Sequence, residues 1–181
     1  MCESCVGVQT MKKILLDLSK CTGCRRCELA CSFAHEGRYG SSISRIQVMK
    51  LENLGVDAPI VCRQCENHPC VPSCPKSALS IDETTGATLV AWEACIGCGI
   101  CIENCPIGAL HLHPTEGKSL VCDLCGGSPA CVAACDTGAI WFESLNGYIN
   151  RIRQNTALNL AHSLLNSWGI DLNKIKEVRG D

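Results

Sequence analysis

Residues 95–106, Cys95-Ile-Gly-Cys98-Gly-Ile-Cys101-Ile-Glu-Asn-Cys105-Pro106, constrain this chain more than any other stretch. Three cysteines fall at every third position of a short glycine-containing loop. A fourth follows four residues later, with proline behind it. A cube of four irons needs a thiolate at each corner, and a loop with a ligand every third residue can wrap three of them. The fourth cysteine points away and typically ligates a second cluster. One such run therefore calls for a partner elsewhere in the chain.

The partners exist. Four cysteine quartets recur: Cys21, Cys24, Cys27 and Cys31; Cys62, Cys65, Cys70 and Cys74, followed by Pro75; Cys95, Cys98, Cys101 and Cys105; and Cys122, Cys125, Cys131 and Cys135. Only the gap between second and third cysteines stretches, in the second and fourth quartets. This internal repeat uses sixteen of eighteen cysteines and predicts four 4Fe–4S clusters with those sixteen as iron ligands.

Composition supports metal over an ordinary core. A length of 181 residues fits one domain or two small ones. The hydrophobic share of 46% includes cysteine; without it about 36% remains, below the usual globular fraction. Metal–thiolate bonds can make up the difference, because binding energy at a folded site is folding energy. Disulfides would call for an exported protein. The first ten residues have no apolar leader segment, and the run in Met11-Lys-Lys-Ile-Leu-Leu-Asp17 is three residues long. No stretch reaches the ~18 apolar residues of a membrane span. The expectation is a cytoplasmic protein with reduced thiols. Zinc ribbons use separated Cys pairs and have no place for Cys27 or Cys101 at the next step. Formal charge is −2 and falls to about −10 with four loaded clusters, which argues against nucleic acid. Arg25 and Arg26 read as a solvated loop edge ahead of a role in partner docking.

Along the chain, residues 1–10 look like an N-terminal extension, with Cys2 and Cys5 as spare thiols. Ile14–Leu18 reads as a strand, and Ser32–Gly37 as a helical turn that Gly37 ends. Ser44–Leu51 alternates like a strand, and Pro59–Val61 returns the chain to Cys62. Residues 78–82 with 87–90, and 109–113 with 118–121, are hairpins turning at Gly86 and Gly117. Ala139–Phe142 is a last strand. The expected unit is ligand loop, short helix, strand, used four times. From Leu145 apolar residues recur at helical spacing up to Trp168, and Asp171 opens a second short helix.

The four quartets resemble those of the four-cluster iron–sulfur subunits of multi-subunit oxidoreductases. These serve dimethyl sulfoxide reductase, formate dehydrogenase, carbon monoxide dehydrogenase and hydrogenase systems. The likeness covers residues 12–143. Within it, the segment Cys122–Cys135 is most similar to small subunits accompanying tungsten aldehyde oxidoreductase-type enzymes, including tungsten benzoyl-CoA reductase. The resemblance implies an α+β fold of two bacterial-ferredoxin-like modules related by pseudo-twofold symmetry. The outer module uses quartets 21–31 and 122–135, the inner one quartets 62–74 and 95–105, and together they fill a core at 11–143. Apart from that resemblance, the helical spacing makes residues 144–181 a helical tail whose apolar face either packs on its own core or docks on a partner. The resemblance also implies crossed ligation: Cys21, Cys24 and Cys27 with Cys135; Cys122, Cys125 and Cys131 with Cys31; Cys62, Cys65 and Cys70 with Cys105; Cys95, Cys98 and Cys101 with Cys74.

The implied function is a relay of single electrons between a larger catalytic subunit, with a tungsten or molybdenum cofactor or of benzoyl-CoA reductase type, and a further electron-exchanging subunit. A freely diffusing polyferredoxin is the runner-up, and a zinc-binding scaffold a distant third. No catalytic residue is expected. The radical-SAM spacing is absent, Gly117-Lys118-Ser119 lacks the first glycine of a phosphate loop, and His35, His68, His111, His113 and His162 form no ligand-spaced group. Ser32 and Asp136 replace the proline that follows Cys74 and Cys105. Proline fixes φ and removes a donor, and charge and hydrogen bonds set cluster potentials. A lower potential is therefore expected beside Asp136. Potentiometry of Asp136→Pro should show an upward shift at one cluster, and no shift at any would contradict this.

Overall fold

The computed structural model describes residues 11–168, which leaves Cys2, Cys5 and the helix expected from Asp171 outside the described residues. The chain divides into two compact units: Met11–Glu143, and a second whose described part runs from Ser144 to Trp168. In the first, eight short strands make four two-stranded sheets. Strand β1 (Lys12–Leu16) pairs with β8 (Ile140–Ser144), β2 (Ile46–Leu51) with β3 (Val56–Val61), β4 (Leu79–Ile81) with β5 (Thr88–Val90), and β6 (His111–Leu112) with β7 (Ser119–Leu120). The helices are α1 (Arg26–Glu36), the single turns α2 (Ile100–Glu103) and α3 (Ala130–Ala133), and α4 (Leu145–Ser167), which belongs to the second unit. The result is a small α+β fold.

The expected elements form with shifted ends. The two hairpins share one closing pattern: Asp82 N–H donates to Ala87 O at 2.8 Å and His113 N–H to Lys118 O at 2.7 Å. The β2–β3 hairpin is longer than expected, because Val56–Ala58 also pair, opposite Leu51–Met49. Helix α1 begins five residues before Cys31 and ends at Gly37, whose left-handed φ of 64° lets its N–H reach Phe33 O at 2.9 Å. The second quartet departs from the loop–helix–strand unit. Its residues form successive turns (Val71 N–H to His68 O at 2.9 Å, Cys74 N–H to Val71 O at 3.2 Å) and no helix. Pro69 and Pro72 lack a donor N–H, and His68 has φ 37°, so helical hydrogen bonding cannot propagate there.

The core mixes ordinary apolar side chains with sulfur. Ile14, Ile46, Val48, Val61, Leu110, Leu120 and Leu124 are buried, and so are Cys27, Cys31, Cys62, Cys70, Cys101, Cys122 and Cys131. Buried polar groups tie the pieces together. The Glu28 carboxylate accepts the Val48 N–H and the Ser41 hydroxyl, both at 2.5 Å, and so fastens α1 to β2. Gln64 is buried inside the second quartet. Its Nε2 donates to the Cys122 carbonyl at 2.7 Å, while its Oε1 accepts the Thr88 N–H at 2.9 Å and the Thr88 hydroxyl at 3.0 Å. Among the described residues no helix is long and apolar enough to cross a membrane.

Gln64 thus links the loop at Cys122 to strand β5. Gln64→Met keeps the volume but strands the Cys122 carbonyl and the Thr88 N–H, at a cost of about 1–3 kcal/mol. Anaerobic denaturant unfolding should show that loss; a change within about 0.5 kcal/mol, the range of neutral surface substitutions, would contradict the assigned linkage.

Candidate cluster sites

The ligand loops curl because their backbone repeatedly enters the left-handed region. Gly97 (φ 69°) and Gly99 (φ 81°) do so in the third quartet, and Gly23 and Arg25 at the matching places in the first. A Cβ on Gly97 would lie 2.0 Å from the Gly117 carbonyl oxygen, so the loop can lie on the β6–β7 turn only with glycine there.

Curling brings sulfurs together across quartets. Cys95, Cys98 and Cys101 line one concave space of about 380 Å³, counting the part open to solvent, and Cys74 of the second quartet lines it too. A second space of about 310 Å³ is lined by Cys21, Cys24 and Cys27 with Cys135. Cys105 lies close enough to Cys62 and Cys70 for its charge to push up both thiols, and Cys31 does the same to Cys122 and Cys131. Cys24 and Cys98 are exposed, whereas Cys62, Cys70, Cys122, Cys131 and Cys31 are buried.

Two kinds of cysteine emerge. Burial first, then the Glu28 charge at Cys27 and neighbouring sulfurs at all of them, push the Cys27 and Cys131 thiols up to about 12 and Cys62 to about 11; Cys122 is raised as well. The last cysteines of three quartets behave oppositely. Burial raises Cys31, Cys74 and Cys135 too, but donors outweigh it and lower all three: His35 and the Arg45 N–H at Cys31, the Ala78 N–H at Cys74, and Thr137 at Cys135. The Arg45, Ala78 and Ala109 N–H groups stand 3.3 Å from the sulfurs of Cys31, Cys74 and Cys105. Several buried sulfurs facing one another cannot all ionise without a cation between them. An iron–sulfur cube supplies it, so the donor set fits that group. What the cube contributes when bound is reversible one-electron exchange.

The places without proline also acquire a reason. Ser32 lies inside α1, where its hydroxyl donates to Leu29 O at 3.0 Å and accepts the Gly40 N–H at 3.1 Å; a proline there would break the helix. Asp136 forms an ion pair with Arg26, both side chains being mostly exposed. Arg26 is therefore not just a solvated loop edge, and the pair offsets part of the negative charge behind the lower potential expected near Asp136.

Sequence reasoning passed over His35. Four residues after Cys31 on α1, its Nδ1 lies 2.8 Å from the Cys31 carbonyl and its Nε2 lies 3.0 Å from Asp123 Oδ1. The Cys31 and Cys125 sulfurs are 3.8 and 3.9 Å from the ring nitrogens. The only signal was the i, i+4 step from Cys31 and the acid directly after Cys122. Asp123, then Cys125 and Cys31, push the imidazole up to about 12. Burial would raise the Asp123 carboxyl, but His35, the Cys125 N–H and Arg45 hold it down at about 2. His113 is buried but caps its own hairpin, accepting the Glu116 N–H at 3.1 Å, and His68 meets the Thr88 hydroxyl at 3.1 Å.

Comparisons with known proteins agree with this chemistry. A 4Fe-4S dicluster domain family matches residues 56–145, and a 4Fe-4S binding domain family matches 12–33. The polyferredoxin-like subunit of aliphatic sulfonate oxidoreductase from Pyrococcus furiosus is 46% identical over 128 residues, covering 71% of this chain and 73% of the relative. Electron transport protein HydN of Escherichia coli is 36% identical over 152 residues, covering 70% and 85%. Among solved structures, the active site complex BamBC of benzoyl coenzyme A reductase contains a chain matched over 94% of this one and 98% of its own length, at 21% identity and a TM-score of 0.45. The chain belongs to the ferredoxin-like 4Fe–4S family of iron–sulfur electron-transfer subunits of oxidoreductase complexes.

Proposed function

We propose that the chain is a four-cluster relay that carries single electrons to or from a tungsten- or molybdenum-dependent catalytic subunit. The observation that carries this reading is the shared lining of each concave space by three cysteines of one quartet and the last cysteine of another. On it, Cys95, Cys98, Cys101 and Cys74 hold one terminal cluster, and Cys21, Cys24, Cys27 and Cys135 the other. Cys62, Cys65, Cys70 and Cys105 hold a third, and Cys122, Cys125, Cys131 and Cys31 the fourth. The crossed pairing makes two ferredoxin-like modules with pseudo-twofold symmetry.

Neighbouring sulfurs give the order. Cys101 acts on Cys70, Cys62 on Cys122, and Cys27 on Cys131. These neighbours support a sequence of four sites, with exposed Cys98 in the first and exposed Cys24 in the last. Burial in the middle insulates the relay, and exposure at the ends admits redox partners. The thiolates suit a reducing compartment such as the cytoplasm. The relatives' names, a subunit of an aliphatic sulfonate oxidoreductase among them, support a catalytic partner over free diffusion. Helix α4 supports it as well, because Ile152, Leu160 and Leu164, with Trp168 just past its end, are exposed large apolar side chains at helical spacing, suited to docking on a larger subunit.

Crossed ligation has a direct test. In electron paramagnetic resonance spectra, Cys74→Ala and Cys98→Ala should alter the same cluster signal, and Cys105→Ala a different one shared with Cys65→Ala. Loss of one signal by Cys74→Ala and Cys65→Ala together would refute the pairing. Anaerobic capture from the native source should bring down a larger polypeptide containing tungsten or molybdenum. A chain lacking residues 145–181 should keep its iron and lose that polypeptide; capture unaffected by the deletion would count against docking through the tail.

A further inference from the structure

We propose that His35, clamped by Asp123, is a positioning residue that raises the reduction potential of the cluster assigned to Cys31, Cys122, Cys125 and Cys131. The inference rests on the ligand assignment proposed above. It starts from hydrogen-bond geometry. The His35 Nδ1 faces the Cys31 carbonyl at 2.8 Å, and Nε2 faces both Asp123 oxygens, at 3.0 and 3.2 Å. A carbonyl has no hydrogen to give, so Nδ1 must donate. Asp123 Oδ1 also accepts the Cys125 N–H at 3.0 Å, which suits an ionised carboxylate and makes Nε2 a donor too. A ring donating from both nitrogens is an imidazolium.

That cation is held against two sulfurs assigned to a single cluster, at 3.8 Å from Cys31 and 3.9 Å from Cys125. Its side chain is 12% exposed, so water screens it little. The Arg45 main-chain N–H also meets the Cys31 sulfur, at 3.3 Å. The side chains found at sulfurs of the two terminal sites are neutral hydroxyls: Ser119 at Cys101 (3.4 Å) and Thr137 at Cys135 (3.6 Å). Cations do line those sites, but Lys76, Arg25 and Arg26 are exposed, and Arg26 is already paired with Asp136. Reduction adds one electron to a cluster and breaks no bond. A buried cation at its sulfurs favours the reduced form over the oxidised one, and so raises the potential.

The test is a mediated dithionite titration of the full, anaerobically purified chain, followed by electron paramagnetic resonance, on wild type, His35→Gln and His35→Arg. Gln removes the charge, whereas Arg keeps it and can still meet Asp123. We expect His35→Gln to weaken reduction of one cluster at least tenfold, about 59 mV for one electron, with the other three unmoved and His35→Arg near wild type. Unmoved potentials in His35→Gln, equal shifts at several clusters, or equal shifts in both variants would overturn the proposal. Loss of one cluster's iron from both variants would also overturn it, by making His35 a structural requirement. Iron and sulfide on the wild type judge the ligand assignment separately: fewer than four clusters there defeats both readings, whereas a full set with unmoved potentials in His35→Gln defeats this one alone.

Discussion

Buried sulfur facing sulfur is the constraint on which this structure depends. Cys27, Cys62, Cys122 and Cys131 have thiols that burial and mutual charge keep from ionising. In an ordinary core such groups would be small inert hydrophobes. Here they converge in threes, each trio beside the last cysteine of another quartet, and only a multiply charged cation can make all of them thiolates at once. Bound as proposed, the metal would join segments as distant in sequence as residues 21 and 135. Strand pairing of β1 with β8 and the His35–Asp123 contact across 88 positions act over similar separations, so metal bonding would reinforce contacts the chain already makes.

The protein shapes each site mainly with main-chain donors. The N–H four residues after Cys74 and Cys105 reaches back to the sulfur in both inner quartets, through turns that Ser77 N–H closes on Cys74 O and Gly108 N–H on Cys105 O. In the first quartet the helix runs on through Cys31 and Ser32, so the donor comes instead from Arg45 on the way into β2. Glu28 fastens that strand entrance to α1 through Val48 and Ser41. Structural latch and sulfur environment are thus the same piece of chain, and the proposed differences among the clusters arise from which segment delivers the donor.

Much of this was legible in the sequence because ligand spacing is a local property. The four quartets, the hairpins closing at Gly86 and Gly117, and the helix stop at Gly37 each follow from residues within a few positions of one another. What escaped depends on residues far apart. Nothing near Arg26 announces Asp136, nothing near His35 announces Asp123, and Gln64 meets Cys122 only after the chain has folded. The missing helix in the second quartet was legible in principle, since Pro69 and Pro72 stand among its cysteines. The repeat unit drawn from the other quartets overrode that local signal.

The most direct measurement is iron, acid-labile sulfide and zinc on the full chain purified without oxygen, together with its visible absorption. Metal–thiolate bonding to iron–sulfur cubes predicts a brown protein with iron and sulfide in equal amounts sufficient for four clusters, and no zinc. A colourless protein carrying zinc and no sulfide would contradict the account at its root.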